Sequence, residues 1–337
     1  MDAEVRKSKV SWYRSPVDRQ TLAGLNRRSN LKGFVQTLGH LGLLVLTGAA
    51  AWYSAGHLAL PVTLLLLFLH GTFYAFLLNG FHELCHSSVF RTRWLNTLFL
   101  YIISFLGQFN PILFWASHQE HHKYTLYPPD DLEVVLPVEL TLASFLKSAL
   151  INPWGFVGRW KGVIRLSLGR LDGEWEHALF PESAVAARRR LFNWARILLV
   201  GHLLLVVVSL LLGWYMLPVL ITLAPFYGGW LLYLCNNTQH VGLQDNVPDF
   251  RLCCRTITLN PFLQFIYWHM NFHTEHHMYA SVPCYNLGKL HRAIKPDLPH
   301  CPAGLVETWQ GIIAILRKQK ADPTYEYVPA LPTPARV

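Results

Sequence analysis

The sequence predicts an all-α polytopic membrane protein, with four transmembrane helices as two hairpins and a cytoplasmic helical cap that carries three histidine boxes. Two observations lead to that class. Residues 33–81 and 197–244 contain no Asp, Glu, Lys or Arg. A helix needs about 20 apolar residues to cross the hydrocarbon core, so each block holds two spans joined by a tight turn. Eight of the 17 histidines then fall in three five-residue windows beside these blocks. The windows are His82-Glu83-Leu84-Cys85-His86, His118-Gln119-Glu120-His121-His122 and His273-Thr274-Glu275-His276-His277.

In chain order, residues 1–33 form a basic, polar N-terminal segment holding Arg6, Lys7, Lys9, Arg14, Arg19, Arg27, Arg28 and Lys32. It has neither the short apolar core nor the small-residue cleavage site of a signal peptide. Spans are expected near 34–54 and 58–80, punctuated by Gly56 and Pro61. Residues 94–113 are apolar and long enough to cross, but Asn96, Gln108, Asn110 and Pro111 favour a surface-lying or re-entrant segment. Residues 138–168 mix apolar runs with Lys147, Arg159, Lys161 and Arg165, and read as amphipathic helices on the membrane surface. The second pair of spans is expected near 194–213 and 215–235, with Gly213 and Pro218 at the turn. Residues 303–318 read as another amphipathic helix, and the proline-rich end (Pro323, Pro329, Pro332, Pro334) as a loose tail. The expected organisation is thus a membrane domain over 34–300, preceded by segment 1–33 and followed by 301–337.

Arg188, Arg189, Arg190 and Arg196 abut the second apolar block, while the hairpin turns carry no charge. The positive-inside rule then places both termini and residues 82–193 in the cytoplasm. All three histidine windows fall on that one face. The net charge of +9 reads as a topology and anionic-lipid signal, or as a dock for an acidic protein. Because the basic residues sit beside spans rather than among groove-reading motifs, nucleic acid is not an expected partner. The six cysteines lack paired C-x-x-C spacing and should be reduced thiols. Adjacent Cys253 and Cys254 read as small, half-buried residues.

The histidine offsets, i, i+4 in the first window and i, i+3, i+4 in the others, place the imidazoles on one helix face about 5–6 Å apart. Each window can therefore converge on a metal, and eight imidazoles exceed what one ion accepts, which points to two ions. Iron, zinc, copper and nickel all accept imidazole. Zinc has no redox chemistry, so a multi-histidine pair in a membrane enzyme favours iron. His240, four residues after Asn236 at the end of the fourth expected span, is a ninth candidate ligand, with Asn236 a candidate to act behind it or through water. Glu83, Glu120 and Glu275 read either as acceptors that orient imidazole N–H groups or as solvated charges. His40, His57, His70, His202 and His269 read as packing or interfacial residues, and His177, His291 and His300 as surface residues. The first window also fits H-E-x-x-H, the zinc-protease motif. That alternative gives six further clustered histidines no role.

Taken together, H-x3-H, H-x2-H-H and H-x2-H-H around apolar blocks resemble the membrane fatty acid desaturase family, over residues 65–295. The most specific stretch is Asn271-Phe272-His273-Thr274-Glu275-His276-His277 followed by Pro283, Tyr285, Leu287 and His291. It is similar to the family's third box, with its N-x-H-x-x-H-H opening and P-x-Y-x-L tail. His122-Lys123-Tyr124-Thr125 with Asp130 and Asp131 resembles the stretch after the second box, and Asn236 with His240 matches an N-x3-H element that some members carry. The resemblance implies a non-haem di-iron centre that uses O2 and two externally supplied electrons. Carried over, the ligands are His82, His86, His118, His121, His122, His240, His273, His276 and His277. The implied substrate is the acyl chain of a lipid or fatty acid, and the reaction is desaturation. A hydroxylase or ketolase acting on a lipid or other amphipathic molecule with the same metal pair is the alternative. No H-P-G-G motif of a fused cytochrome b5 domain is present, nor a four-cysteine iron–sulfur pattern. The expected electron donor is therefore a separate ferredoxin, rubredoxin or cytochrome b5 type protein. No endoplasmic-reticulum retrieval signal is evident, which leans the expected location to a bacterial inner membrane.

Overall fold

The computed structural model describes residues 9–138 and 140–332, which are helical with no β-strand among them. Arg6, Lys7 and Pro334 lie outside the described residues. Chain entry runs through a short extended strap to α1 (Arg19–Leu25), a helix that the sequence reading did not foresee. Asp18 caps it, accepting a hydrogen bond from the Thr21 amide.

The apolar half of the chain begins with α2 (Asn30–His57), capped by Ser29, and returns through α3 (Leu60–Ala75) and α4 (Leu77–Cys85). Together with α10 (Val185–Leu211), these make three helical runs long and apolar enough to cross a membrane, namely 30–57, 60–85 and 185–211. Their outward faces are bare hydrocarbon: Val45 is 71% exposed and Leu211 81%. Such faces are stable only in a lipid environment.

The segment between the first two histidine windows, expected to be surface-lying or re-entrant, is not one straight helix. Helices α5 (Arg93–Gly107) and α6 (Pro111–Tyr124) meet at a bend of 104°, as in a broken span or a re-entrant loop. The local cause is legible. Gln108 takes a left-handed conformation with φ +56°, Pro111 cannot continue the preceding helix, and the Asn110 side chain caps the new one through Ile112 and Leu113.

Residues 215–235 do not form the expected fourth continuous span. They divide into α11 (Met216–Ile221), a single 3-10 turn at Ala224–Phe226 and α12 (Trp230–Asn236). Pro225 and the Gly228-Gly229 pair interrupt the helix. Gly228 sits at φ +69°, and a Cβ there would lie 2.6 Å from the Phe68 carbonyl. Helices α7 (Leu142–Ala149) and α8 (Pro153–Ser167) occupy the expected amphipathic region, but α8 packs lengthwise on α10 rather than lying alone, and Ile151 bridges to Tyr227. The rest is the short α9 (Gly173–Leu179) and a compact run of α13 (Phe250–Cys253), α14 (Pro261–Ile266), α15 (His273–Met278), α16 (Cys284–Ile294) and α17 (Gly304–Ala321).

Broken helices in an apolar slab leave carbonyls without partners, at several kcal/mol each. Three buried imidazoles meet that need. His40 Nε2 donates to the Phe73 carbonyl near the α3–α4 break, and its Nδ1 accepts from the Trp268 indole. His70 Nε2 donates to the Leu220 carbonyl near the end of α11. His202 Nε2 donates to the Phe105 carbonyl near the end of α5. Packing is thus the role of these three, as expected from the sequence. His291 departs from expectation: it is 7% exposed and held by Glu275, not a surface residue.

Candidate metal centre

The three histidine windows arrive from different directions. The first ends α4, the second forms the last two turns of α6, and the third forms α15. His240 follows α12 in a tight turn. Together they enclose one buried region, in which His118, His121, His273 and His277 are each 2–3% exposed and His276 is 0%.

Within it the imidazoles sort into two groups able to hold a metal ion. His82, His86, His118, His122 and His276 form one; His240, His273 and His277, joined by Cys254, form the other. His121 stands beside the second group, its ring 4.9 Å from His277 and 5.3 Å from His240. The groups share a wall, since His122 stacks on His277 at 4.5 Å.

The ring nitrogens show what the grouping suits. Nε2 atoms approach one another at 3.1 Å (His86–His118), 3.0 Å (His118–His122) and 3.2 Å (His122–His276) in the first group. In the second they approach at 2.9 Å (His240–His273) and 3.1 Å (His273–His277). For an imidazole–metal distance of about 2.1 Å, neighbouring nitrogens lie about 3.0 Å apart at a right angle and about 3.4 Å apart at the tetrahedral angle. The observed spacings fit the first. Neutral imidazoles whose lone pairs face a common point at this separation repel one another unless a cation lies between them.

Several of the rings are anchored at the opposite edge, which fixes which nitrogen faces inward, whereas Nδ1 of His273 and of His276 has no hydrogen-bond partner among the described residues. His118 Nδ1 donates to Glu133 at 2.7 Å, and His121 Nδ1 donates to Asp131 at 2.8 Å. His240 Nδ1 donates to the Cys253 carbonyl at 2.8 Å. His82 Nδ1 donates to Glu83 at 3.1 Å, and the same carboxylate oxygen lies 3.4 Å from His276 Nδ1. Glu83 therefore stands behind imidazoles from two different windows. Glu275, also fully buried, joins His291 at 2.5 Å and accepts from Thr256 Oγ1, tying α15 to α16.

Of the other candidates, Glu120 pairs with Lys123 at 2.8 Å on the outer side of α6. Asn236 accepts from Asn79 on α4 at 3.4 Å. Asp131 and Glu133 were not singled out as anchors from sequence, although Asp131 lay in a stretch whose resemblance was noted. Burial pushes the Asp131 carboxyl up, but hydrogen bonds from His121, Leu126 and Glu133 outweigh it and hold its pKa below the ordinary value. Burial raises that of Glu133. Cys254 was read as a small, half-buried residue; it is buried in the second group, where burial and then the Cys253 thiol push its pKa well above the ordinary value. Burial likewise drives His240 down to about 3, so its imidazole is neutral and free to ligate.

A cavity of about 710 Å³, lined in part by Leu78, Phe81, Leu113, Phe114 and Glu133, abuts the first group; Phe114 stacks on His118 at 4.8 Å. A larger one, about 980 Å³, lies at the far end of the long helices beside Trp52, His57 and Tyr215, away from the imidazoles.

Membrane-type helices enclosing two imidazole constellations define a helical membrane protein with a candidate two-metal site. The chain belongs to the fatty acid desaturase family, whose model matches residues 58–309. A similar protein is the Delta(6)-fatty-acid desaturase fat-3 of Caenorhabditis elegans, 24% identical over 241 residues. That alignment covers 64% of this chain and 54% of the relative, so the chain spans about half the relative's length.

Proposed function

We propose that the protein is an O2-dependent membrane di-iron oxidoreductase that desaturates the acyl chain of a lipid or fatty acid, with electrons from a separate donor protein. The observation that carries this reading is the pair of anchored, converging Nε2 sets within a chain of the desaturase family. Near-right-angle nitrogen spacing suits an ion of five or six ligands better than tetrahedral zinc. His82, His86, His118, His122 and His276 would hold one iron; His121, His240, His273 and His277 would hold the other. Bound there, the iron pair supplies O2 activation and the oxidising power to attack an unactivated C–H bond.

The chain's own residues do the rest. Glu83, Asp131 and Glu133 hold imidazole tautomers and orientation from behind. Leu78, Phe81, Leu113 and Phe114 form an apolar wall of the cavity beside His118, which suits the methylene chain of a substrate, while Arg159, Arg165 and Glu176 line its polar part. The site lies at the ends of the long helices on the side of the basic segments, which we assign to the cytoplasmic face of the membrane. On this reading 1–33 is a basic N-terminal segment, 34–300 the membrane domain and 301–337 a C-terminal helix and tail. The membrane is proposed to be a bacterial inner membrane.

The H-E-x-x-H protease alternative loses support from the placement of Glu83. Its carboxylate is engaged behind His82 and His276, not directed to an open position on an ion. The test is a lipid comparison between cells with and without the protein, grown under 18O2. A product lacking two hydrogens and carrying no 18O supports desaturation. Product oxygen derived from 18O2 would favour the hydroxylase or ketolase reading, and no lipid change would remove both.

A further inference from the structure

Half-buried aromatic residues meet the metal-facing imidazoles at several points, Trp115 against His86 at 5.3 Å and Phe114 against His118 at 4.8 Å, and one further stack starts in the basic N-terminal strap. Trp12, in the N-terminal strap, is half-buried and lies face to face on Phe250, with ring centroids 4.2 Å apart and planes 10° from parallel. Phe250 is fully buried and its ring lies 5.5 Å from that of His277. The Trp12 indole N–H also donates to the Lys123 carbonyl at 2.8 Å, one peptide from His122. A single surface indole thus touches the backbone beside one imidazole group and reaches the other through one ring.

The strap is fixed there by more than the stack. The Tyr13 amide donates to the Pro248 carbonyl, the Tyr13 hydroxyl donates to Asp297, and Arg251 lies 3.9 Å over the Tyr13 ring while pairing with Asp249 and Asp297. Its surface charge is positive on balance. Lys9 and Arg14 flank Trp12, and Lys295 lies two residues from Asp297; all three are exposed and carry no ion pair among the described residues. The neighbouring acids Asp249 and Asp297 share the single positive charge of Arg251, so together with Lys9, Arg14 and Lys295 the patch keeps a positive balance.

We propose that this strap is the electron-entry surface: a small acidic one-electron carrier protein docks over Lys9, Arg14 and Lys295, and electrons pass from Trp12 through Phe250 to His277. The proposal rests on the desaturase reading, whose balance is CH2–CH2 + O2 + 2 e− + 2 H+ → CH=CH + 2 H2O. A one-electron carrier must therefore meet the surface twice per turnover, and each encounter oxidises one carrier. Tunnelling falls exponentially with distance through saturated groups, so contacting rings at the rim of the site set the easiest route. Complementary charge steers and orients the encounter.

The test uses the full chain, iron-loaded in detergent and kept without O2. Reduced acidic [2Fe–2S] ferredoxin is the probe, its reoxidation followed by absorbance, with dithionite as a small reductant that needs no docking. Trp12→Leu should slow ferredoxin reoxidation by about an order of magnitude, while iron content and reduction by dithionite stay at wild-type values. Trp12→Phe should restore most of the rate. Lys9→Glu with Arg14→Glu should weaken the salt-dependent encounter about tenfold and leave the limiting rate unchanged. Wild-type reoxidation in Trp12→Leu overturns the route. Loss of iron or of dithionite reduction in both Trp12 variants overturns it in favour of a structural role. A wild-type chain that binds no iron overturns the underlying metal reading, and with it this one.

Discussion

Replacing Asp131 tests whether buried carboxylates set the metal-facing side of the imidazoles. Asp131 is 0% exposed, and one of its oxygens accepts from both His121 Nδ1 and the Leu126 amide, each at 2.8 Å. Its other oxygen accepts from the Glu133 amide at 2.9 Å. Asp131→Ala leaves three donors without a partner in a buried pocket, at about 1–3 kcal/mol each before any water enters. It also frees the His121 ring to turn. Loss of such an outer partner typically costs about 10–100-fold in metal affinity, or about 1.4–2.7 kcal/mol. Asp131→Asn is the gentler probe. Its carbonyl oxygen can still accept from His121 and Leu126, but its NH2 must then face the Glu133 amide, so one donor loses its partner. Iron affinity, measured by chelator competition on the purified protein, should fall in the order wild type, Asn, Ala, with unfolding followed in parallel by tryptophan fluorescence. Wild-type iron affinity in a folded Asp131→Ala chain would refute the reasoning.

Other substitutions bear on separate parts of the account. His121→Ala should lose metal and activity, whereas His177→Ala, on an exposed residue of α9, should leave both intact; iron analysis and lipid product measure this. Gly71→Ala would place a Cβ 2.3 Å from the Tyr227 carbonyl. Overpacking of that kind costs about 1–3 kcal/mol, so the thermal midpoint should fall. Gly24→Ala, with nothing within 4 Å of the added Cβ, should hold or slightly raise it. His202→Leu strips the Phe105 carbonyl and the Thr222 hydroxyl of their partner. It should destabilise by about 1–3 kcal/mol without touching the site, read as a lowered thermal midpoint with unchanged iron content.

Helical class, membrane-type hydropathy and the clustering of histidines were legible because each rests on local composition or on i, i+3, i+4 spacing; eight of the nine candidates fall in the two groups able to hold a metal, with His121 beside the second. Convergence of the windows was not legible. It depends on the 104° bend between α5 and α6; Gln108, Asn110 and Pro111 marked an interruption there, but not its angle. The expected fourth span failed for a related reason. Residues 215–235 are apolar throughout, and average hydropathy does not register Pro225 or the φ +69° at Gly228. Asp131 and Glu133 escaped notice as anchors because each reaches its histidine across a loop, 10 and 15 residues away, rather than along a helix face. Cys254 carried no spacing signal of any kind. His291 read as a surface residue because its partner, Glu275, lies on another helix.

Two imidazole sets, each holding one iron, are the core of the proposed chemistry. Metal analysis of the purified chain, normalised to protein, tests it most directly. Two irons per chain are expected, both lost when His122 and His273 are replaced together by alanine. One zinc per chain, or iron content unaffected by those replacements, would contradict it.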